Sequence, residues 1–163
     1  MSAQQIIECM KKLGQVHTTF NQLAEEKTEA LKKGDISHLR SLLQKESAYL
    51  KQLQQLEQER VRLVRYFING KGLASEGGTV TELLLHVNEE EKNQLISLQK
   101  ELIEEIERLK MQNELNQQLI QDSLRFVNLS LDVIQPQSDT GNYQRTTNDD
   151  DEQLGRSLFD TKA

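Results

Sequence analysis

An all-α fold is what this 163-residue sequence predicts: an elongated antiparallel helical bundle, or coiled coil, of three long helices. A short helix precedes the third long one, and a disordered C-terminal tail follows it. Three observations predict this. No proline interrupts the chain before Pro136. Apolar residues recur at alternating steps of three and four, the period of an amphipathic helix. Aromatic residues make up 4% of the chain, too few for a thick compact core, while Gln, Glu, Leu and Lys dominate, as in long helices and coiled coils.

The first helix, about 2–33, carries Ile6, Met10, Leu13, His17, Phe20, Ala24 and Leu31 on one stripe. Lys33-Gly34 ends it with a basic last turn and a C′ glycine. Asp35 then caps a second helix, about 35–69, whose stripe runs Ile36, Leu39, Leu43, Leu50, Leu53, Val64 and Phe67, widened by Leu42, Tyr49, Leu56 and Leu63. Two helices joined so tightly must fold back as an antiparallel hairpin.

Gly70, Gly72, Gly77 and Gly78 fall in one stretch, read as a flexible loop. Gly70-Lys71 lacks the upstream glycine and the Ser/Thr of a phosphate-binding loop. Thr79-x-x-Glu82 is a capping box that opens a short helix, about 79–87, and Asn88-x-x-Glu91 opens the third long helix, about 89–135. At about 1.5 Å per residue that helix spans roughly 70 Å, a length suited to a coiled coil or elongated bundle. Pro136 stops it. These elements make residues 1–136 one helical domain.

Residues 137–163 are rich in Ser, Asp, Asn, Gln and Thr, with the acidic run Asp149-Asp150-Asp151-Glu152. Such a segment reads as a largely disordered tail. Leu154, Leu158 and Phe159 could form a short docking helix within it.

Composition and motifs exclude several function classes. A net charge of −6 argues against a nucleic-acid partner, which needs clustered Lys and Arg. The longest apolar run is three residues, for example Leu83-Leu84-Leu85, so no stable membrane insertion is expected, and the N-terminus lacks a signal-peptide pattern. Cys9 is the single cysteine; an internal disulfide is impossible and a cytoplasmic home fits. His17, His38 and His86 have no metal-ligand spacing, and His17, on the apolar stripe, reads as a hydrogen-bonded seam histidine. With no nucleophile elbow, zinc motif or dinucleotide fingerprint, neither an enzyme nor a bound metal or cofactor is expected.

The third long helix is unusual in its C-terminal third. Leu95, Leu98, Leu102, Ile106 and Leu109 form one seam. Beyond Met111, Asn113, Asn116, Ile120, Leu124, Val127, Leu131 and Ile134 continue it, while Leu115, Leu119, Phe126, Leu129 and Val133 make a second, centred roughly 135° away. Either this helix is the central one of the bundle and touches two others, or the second seam awaits a helix from another protein. Asn113 and Asn116 sit at core-type positions, where polar residues fix register and partner choice.

The stretch Asn113-Glu114-Leu115-Asn116-Gln117-Gln118-Leu119-Ile120-Gln121-Asp122-Ser123-Leu124-Arg125-Phe126-Val127 resembles the signature of the FlgN family of flagellar export chaperones, with Ser123 in place of the common alanine. Lys27-Thr28-Glu29-Ala30-Leu31, Lys33-Gly34-Asp35 and Leu42-Leu43-Gln44-Lys45-Glu46 are similar as well, and Leu158 to Ala163 resemble the C-terminus of a Bacillus-type member. The resemblance implies a non-catalytic cytosolic chaperone of flagellar type III secretion. Such a chaperone binds the C-terminal helices of the hook–filament junction proteins FlgK and FlgL, prevents their premature association, and presents them to the cytoplasmic domain of the export gate protein FlhA. It assigns client binding to the second half of the third helix, here Asn113, Leu115, Asn116, Leu119, Ile120, Leu124, Phe126, Val127, Leu129 and Val133. It also suggests Tyr143 for docking at the gate. The competing expectation is a structural coiled-coil protein or adaptor that self-assembles through both seams.

Overall fold

The computed structural model describes residues 3–134. They form α1 (Gln4–Lys33), α2 (Ile36–Gly70), α3 (Val80–Leu83) and α4 (Glu89–Ile134), with no strand among the described residues. The tail 137–163 and Tyr143 lie outside the described residues.

Local sequence explains each boundary. Gly34 adopts the left-handed conformation, φ 68°. The Asp35 amide donates to Ala30 O (3.0 Å) and the Gly34 amide to Leu31 O, the two closing bonds of a Schellman motif. The Asp35 carboxylate accepts from the His38 amide at 3.0 Å, so α2 is capped at once and folds back along α1. Asn88 and Glu91 make a reciprocal capping box: the Glu91 amide donates to Asn88 Oδ1 at 2.8 Å and the Asn88 amide to Glu91 Oε2. The other oxygen of Glu91 accepts from the Ala3 amide at 2.9 Å, which holds the starts of α1 and α4 together.

The central helix is α1. It packs against both α2 and α4, while α2 and α4 hardly meet. Cys9 pairs with Leu56 and Lys27 with Glu46, so α1 and α2 run antiparallel. Ala3 pairs with Glu91 and Ala24 with Asn116, so α1 and α4 run parallel. The course is up, down, up. The main core joins Ile6, Ile7, Met10 and Leu13 of α1 to Val64, Phe67 and Ile68 of α2, with Val80, Leu83 and Leu95 closing its end. A smaller cluster at the hairpin end holds Leu23, Ala30 and Leu42, flanked by Leu39 and Tyr49.

Three expectations are corrected. The short helix is one turn, Val80–Leu83, rather than 79–87. Val80 and Leu83 already bury its apolar face, the chain must turn before Asn88 caps α4, and Leu85 is left 82% exposed. The Lys71 ammonium closes this turn by donating to His86 O at 2.7 Å. Second, the end of the glycine stretch is anchored, not free. Glu82 accepts from Ser75 Oγ (2.8 Å) and the Gly77 amide (2.9 Å), bonds that hold its carboxyl below the usual range. Arg60 Nη1 donates to Gly78 O at 3.0 Å. Third, His17 is buried on the seam as expected, but its Nδ1 has no hydrogen-bond partner among the described residues. Desolvation therefore lowers its pKa, against the opposing pull of Glu105 and Glu57.

Candidate functional site: the overhanging end of α4

Register sets the site. Ala3 lies beside Glu91 and Thr28 beside Asn116, an offset of 88 residues in both cases. Lys33, the last residue of α1, therefore comes level with Gln121. The rest of α4, from Asp122 to Ile134, projects beyond both α1 and the start of α2. At about 1.5 Å per residue this overhang is roughly 20 Å long. Its apolar character does not end with the bundle. Leu124, Phe126, Val127, Leu129, Leu131, Val133 and Ile134 are all exposed, Phe126 by 71% and Val133 by 84%.

A polar network holds this register. Asn116 is 3% exposed and donates from Nδ2 to Ala24 O at 2.9 Å. The Thr28 hydroxyl lies within bonding distance of Ala24 O and of Asn116 Oδ1, and accepts from Gln112 Nε2. Two turns earlier on α1, Asn21 Nδ2 donates to the backbone oxygen of Glu105 at 3.0 Å and to its carboxylate. Polar side chains buried in an otherwise apolar helix interface discriminate against slipped pairings, because a shift would orphan them.

The residues read from sequence as client contacts thus divide. Asn116 is consumed inside the α1–α4 interface. Asn113, one turn before it, is exposed, so the two asparagines do not share a role. Leu119 is half-buried at the bundle's end, while Leu115 and Ile120 are exposed beside it. Leu124, Phe126, Val127, Leu129 and Val133 stand exposed on the overhang. Leu131 and Ile134 belong with them. Their spacing from Leu124 and Val127 already placed them on the seam.

Sequence reasoning missed a second feature. Because α2 and α4 diverge over α1, a groove of about 900 Å³ opens between them. Met10, Leu13 and His17 form its floor; Leu53 and Glu57 of α2 face Leu102, Ile103 and Ile106 of α4. Ile36, Leu43 and Leu50 were expected on the covered stripe of α2 but are exposed, while Leu42 beside them is buried: the α1-facing side of α2 runs through Leu42, and these three, at heptad steps before Glu57, form an apolar flank beside it.

Cys9 is buried, its Sγ 3.4 Å from Leu56 O, and desolvation raises its pKa. Among the described residues no cluster of His, Cys, Asp and Glu could hold a metal ion, and no helix is long and apolar enough to cross a membrane. What the overhang can do is bind: a helix laid along it would bury apolar side chains that contribute roughly 1.5–3 kcal/mol each, gross.

The family described as FlgN protein matches the chain over residues 1–149. A Bacillus subtilis (strain 168) relative, described as uncharacterized protein YvyG, is 35% identical over 164 aligned residues covering 100% of both chains. No solved structure matches.

Proposed function

The chain belongs to the FlgN family, a family of flagellum-associated chaperones, and we propose that its client seat is the overhanging end of α4. In this reading the protein is a cytosolic chaperone of flagellar type III secretion. Its clients are the C-terminal helices of the hook–filament junction proteins FlgK and FlgL. Covering those amphipathic helices prevents premature association, and the loaded chaperone presents them to the cytoplasmic domain of FlhA.

One observation carries the reading: the apolar seam that α1 covers along α4 continues past the end of α1 as far as Ile134. A projecting helix end whose large apolar side chains, Leu124 to Ile134, are all exposed is a cost to a monomer unless it has a partner. A client helix supplies that partner without disturbing the bundle. Leu115, Ile120 and Asn113 border the seat, and Tyr143 is proposed, on the family resemblance alone, as a gate contact.

The test is light scattering on a size-exclusion column, with the protein alone and mixed with the C-terminal segment of a junction protein. The expected result is a mixed complex that Phe126→Asp or Leu129→Asp abolishes while the helical circular dichroism signal is unchanged. A complex indifferent to both substitutions would remove the overhang from the client seat.

A further inference from the structure

One segment of the sequence combines acidic and apolar character and has no role so far. Asp149-Asp150-Asp151-Glu152 is followed at once by Leu154, Leu158 and Phe159. From Asp149 to Asp160 the chain holds five carboxylates and one cation, Arg156. A seat for such a segment must offer apolar side chains next to uncompensated positive charge, within reach of the end of α4.

One face of α2 meets these requirements. Ile36, Leu43 and Leu50 stand exposed there, beside the Leu42 line that faces α1. At about 100° per residue, Arg40 and Lys51 fall within about 60° of Ile36 around the helix, on the side away from Leu42. Both cations are exposed, and neither enters an ion pair among the described residues. Glu46 is the one carboxylate between Ile36 and Leu56, and Lys27 already holds it at 2.8 Å. The overhang has the opposite balance: Asp122 and Asp132 outnumber Arg125, so it disfavours an acidic segment. We propose that residues 149–159 dock on this flank of their own chain, the acidic run against Arg40 and Lys51, and Leu154, Leu158 and Phe159 over Ile36, Leu43 and Leu50.

The connecting length agrees. The overhang carries the chain roughly 20 Å past the start of α2, and Arg40 lies about 8 Å further down that helix, so roughly 28 Å separates Ile134 from the level of Arg40. Asp149 follows Ile134 by 15 residues, which reach roughly 20 Å as a coil and at most about 50 Å when extended. The groove at Leu53 to Arg60 lies roughly 50 Å from Ile134 by the same reckoning and would demand a nearly extended connection. Docking on the flank leaves the apolar side chains of the overhang uncovered, so the inference stands apart from the client reading.

Nuclear magnetic resonance of the full chain, without client, tests it. A nitroxide is attached at Thr161→Cys, with the buried Cys9 changed to Ala. The nitroxide should broaden the backbone amides of α2 from Ile36 to Leu53 more than those of any other helix, to an extent independent of protein concentration. Leu43→Ser with Leu50→Ser, at exposed positions, should lower the ratio of docked to free segment at least about 10-fold with helix content retained. Arg40→Glu with Lys51→Glu should release the segment too, and added salt should weaken docking in the parent. Broadening spread evenly over the surface, or concentrated on the overhang, overturns the proposal. So does broadening in an isotope-labelled copy by the nitroxide of another copy, which would make the contact intermolecular.

Discussion

Removing the Asn116 side chain should loosen the whole upper half of the α1–α4 pairing. Asn116→Ala loses the 2.9 Å bond to Ala24 O and the contact with the Thr28 hydroxyl. Each such bond is worth about 0.5–1.5 kcal/mol net, so the loss sums to about 1–3 kcal/mol. The Thr28 hydroxyl keeps Ala24 O and Gln112, so no buried charge or wholly orphaned donor adds to this. Thr28→Val keeps shape but strips Asn116 Oδ1 of its partner, a loss of similar size. Because both substitutions break the same bond, the double variant should be less destabilised than the sum by about 1 kcal/mol. Urea denaturation followed by circular dichroism reads this directly. With a slope near about 2 kcal/mol/M, Asn116→Ala should move the midpoint down by about 0.5–1.5 M. An unchanged midpoint, or strict additivity, would refute the network as the register lock. An unchanged midpoint with client binding lost would return Asn116 to the client seat.

Other outcomes follow from single contacts. Gly34→Ala and Gly78→Ala both force a side chain into the left-handed region, at about 1–2 kcal/mol each. A Cβ at Gly34 meets open space, whereas at Gly78 it would lie 2.9 Å from Val61 Cγ1 and 3.0 Å from Val61 O, so thermal denaturation should rank Gly78→Ala clearly below Gly34→Ala. His17 has a folded-state pKa below its ordinary 6.5, so the unfolded chain binds the extra proton first. Stability should therefore be full above pH 6.5 and fall as pH drops through 6.5 toward the folded value, and His17→Leu should flatten that part of a stability–pH profile. Measured on the dissociated single chain, Phe126→Asp should leave the unfolding free energy within about 0.5 kcal/mol of the parent, because its side chain is exposed beyond the end of α1; a larger loss would mean that the overhang packs on its own bundle.

The boundaries of the long helices were legible because they are local chemistry. Gly34, Asp35, Asn88 and Glu91 act on backbone groups within a few residues of themselves, and the three-four spacing marks which faces seek cover. The second seam of α4 was legible for the same reason. Its meaning was not, because periodicity shows that a face is apolar without showing what lies against it.

Two matters were settled only by tertiary structure. One is which helix is central: α1, α2 and α4 all carry stripes, and only the packing puts α1 between the others and opens the groove beside it. The other is where α1 stops relative to α4, which depends on an offset held by the pairs Ala3–Glu91 and Thr28–Asn116, each 88 residues apart in sequence. From that offset came the burial of Asn116, the exposure of Asn113 and the overhang from Asp122 to Ile134. Amphipathic period and capping are properties of neighbouring residues and can be read along the chain. Register and adjacency arise from contacts between distant segments, and one chain's pattern is compatible with several of them until the buried polar groups select one.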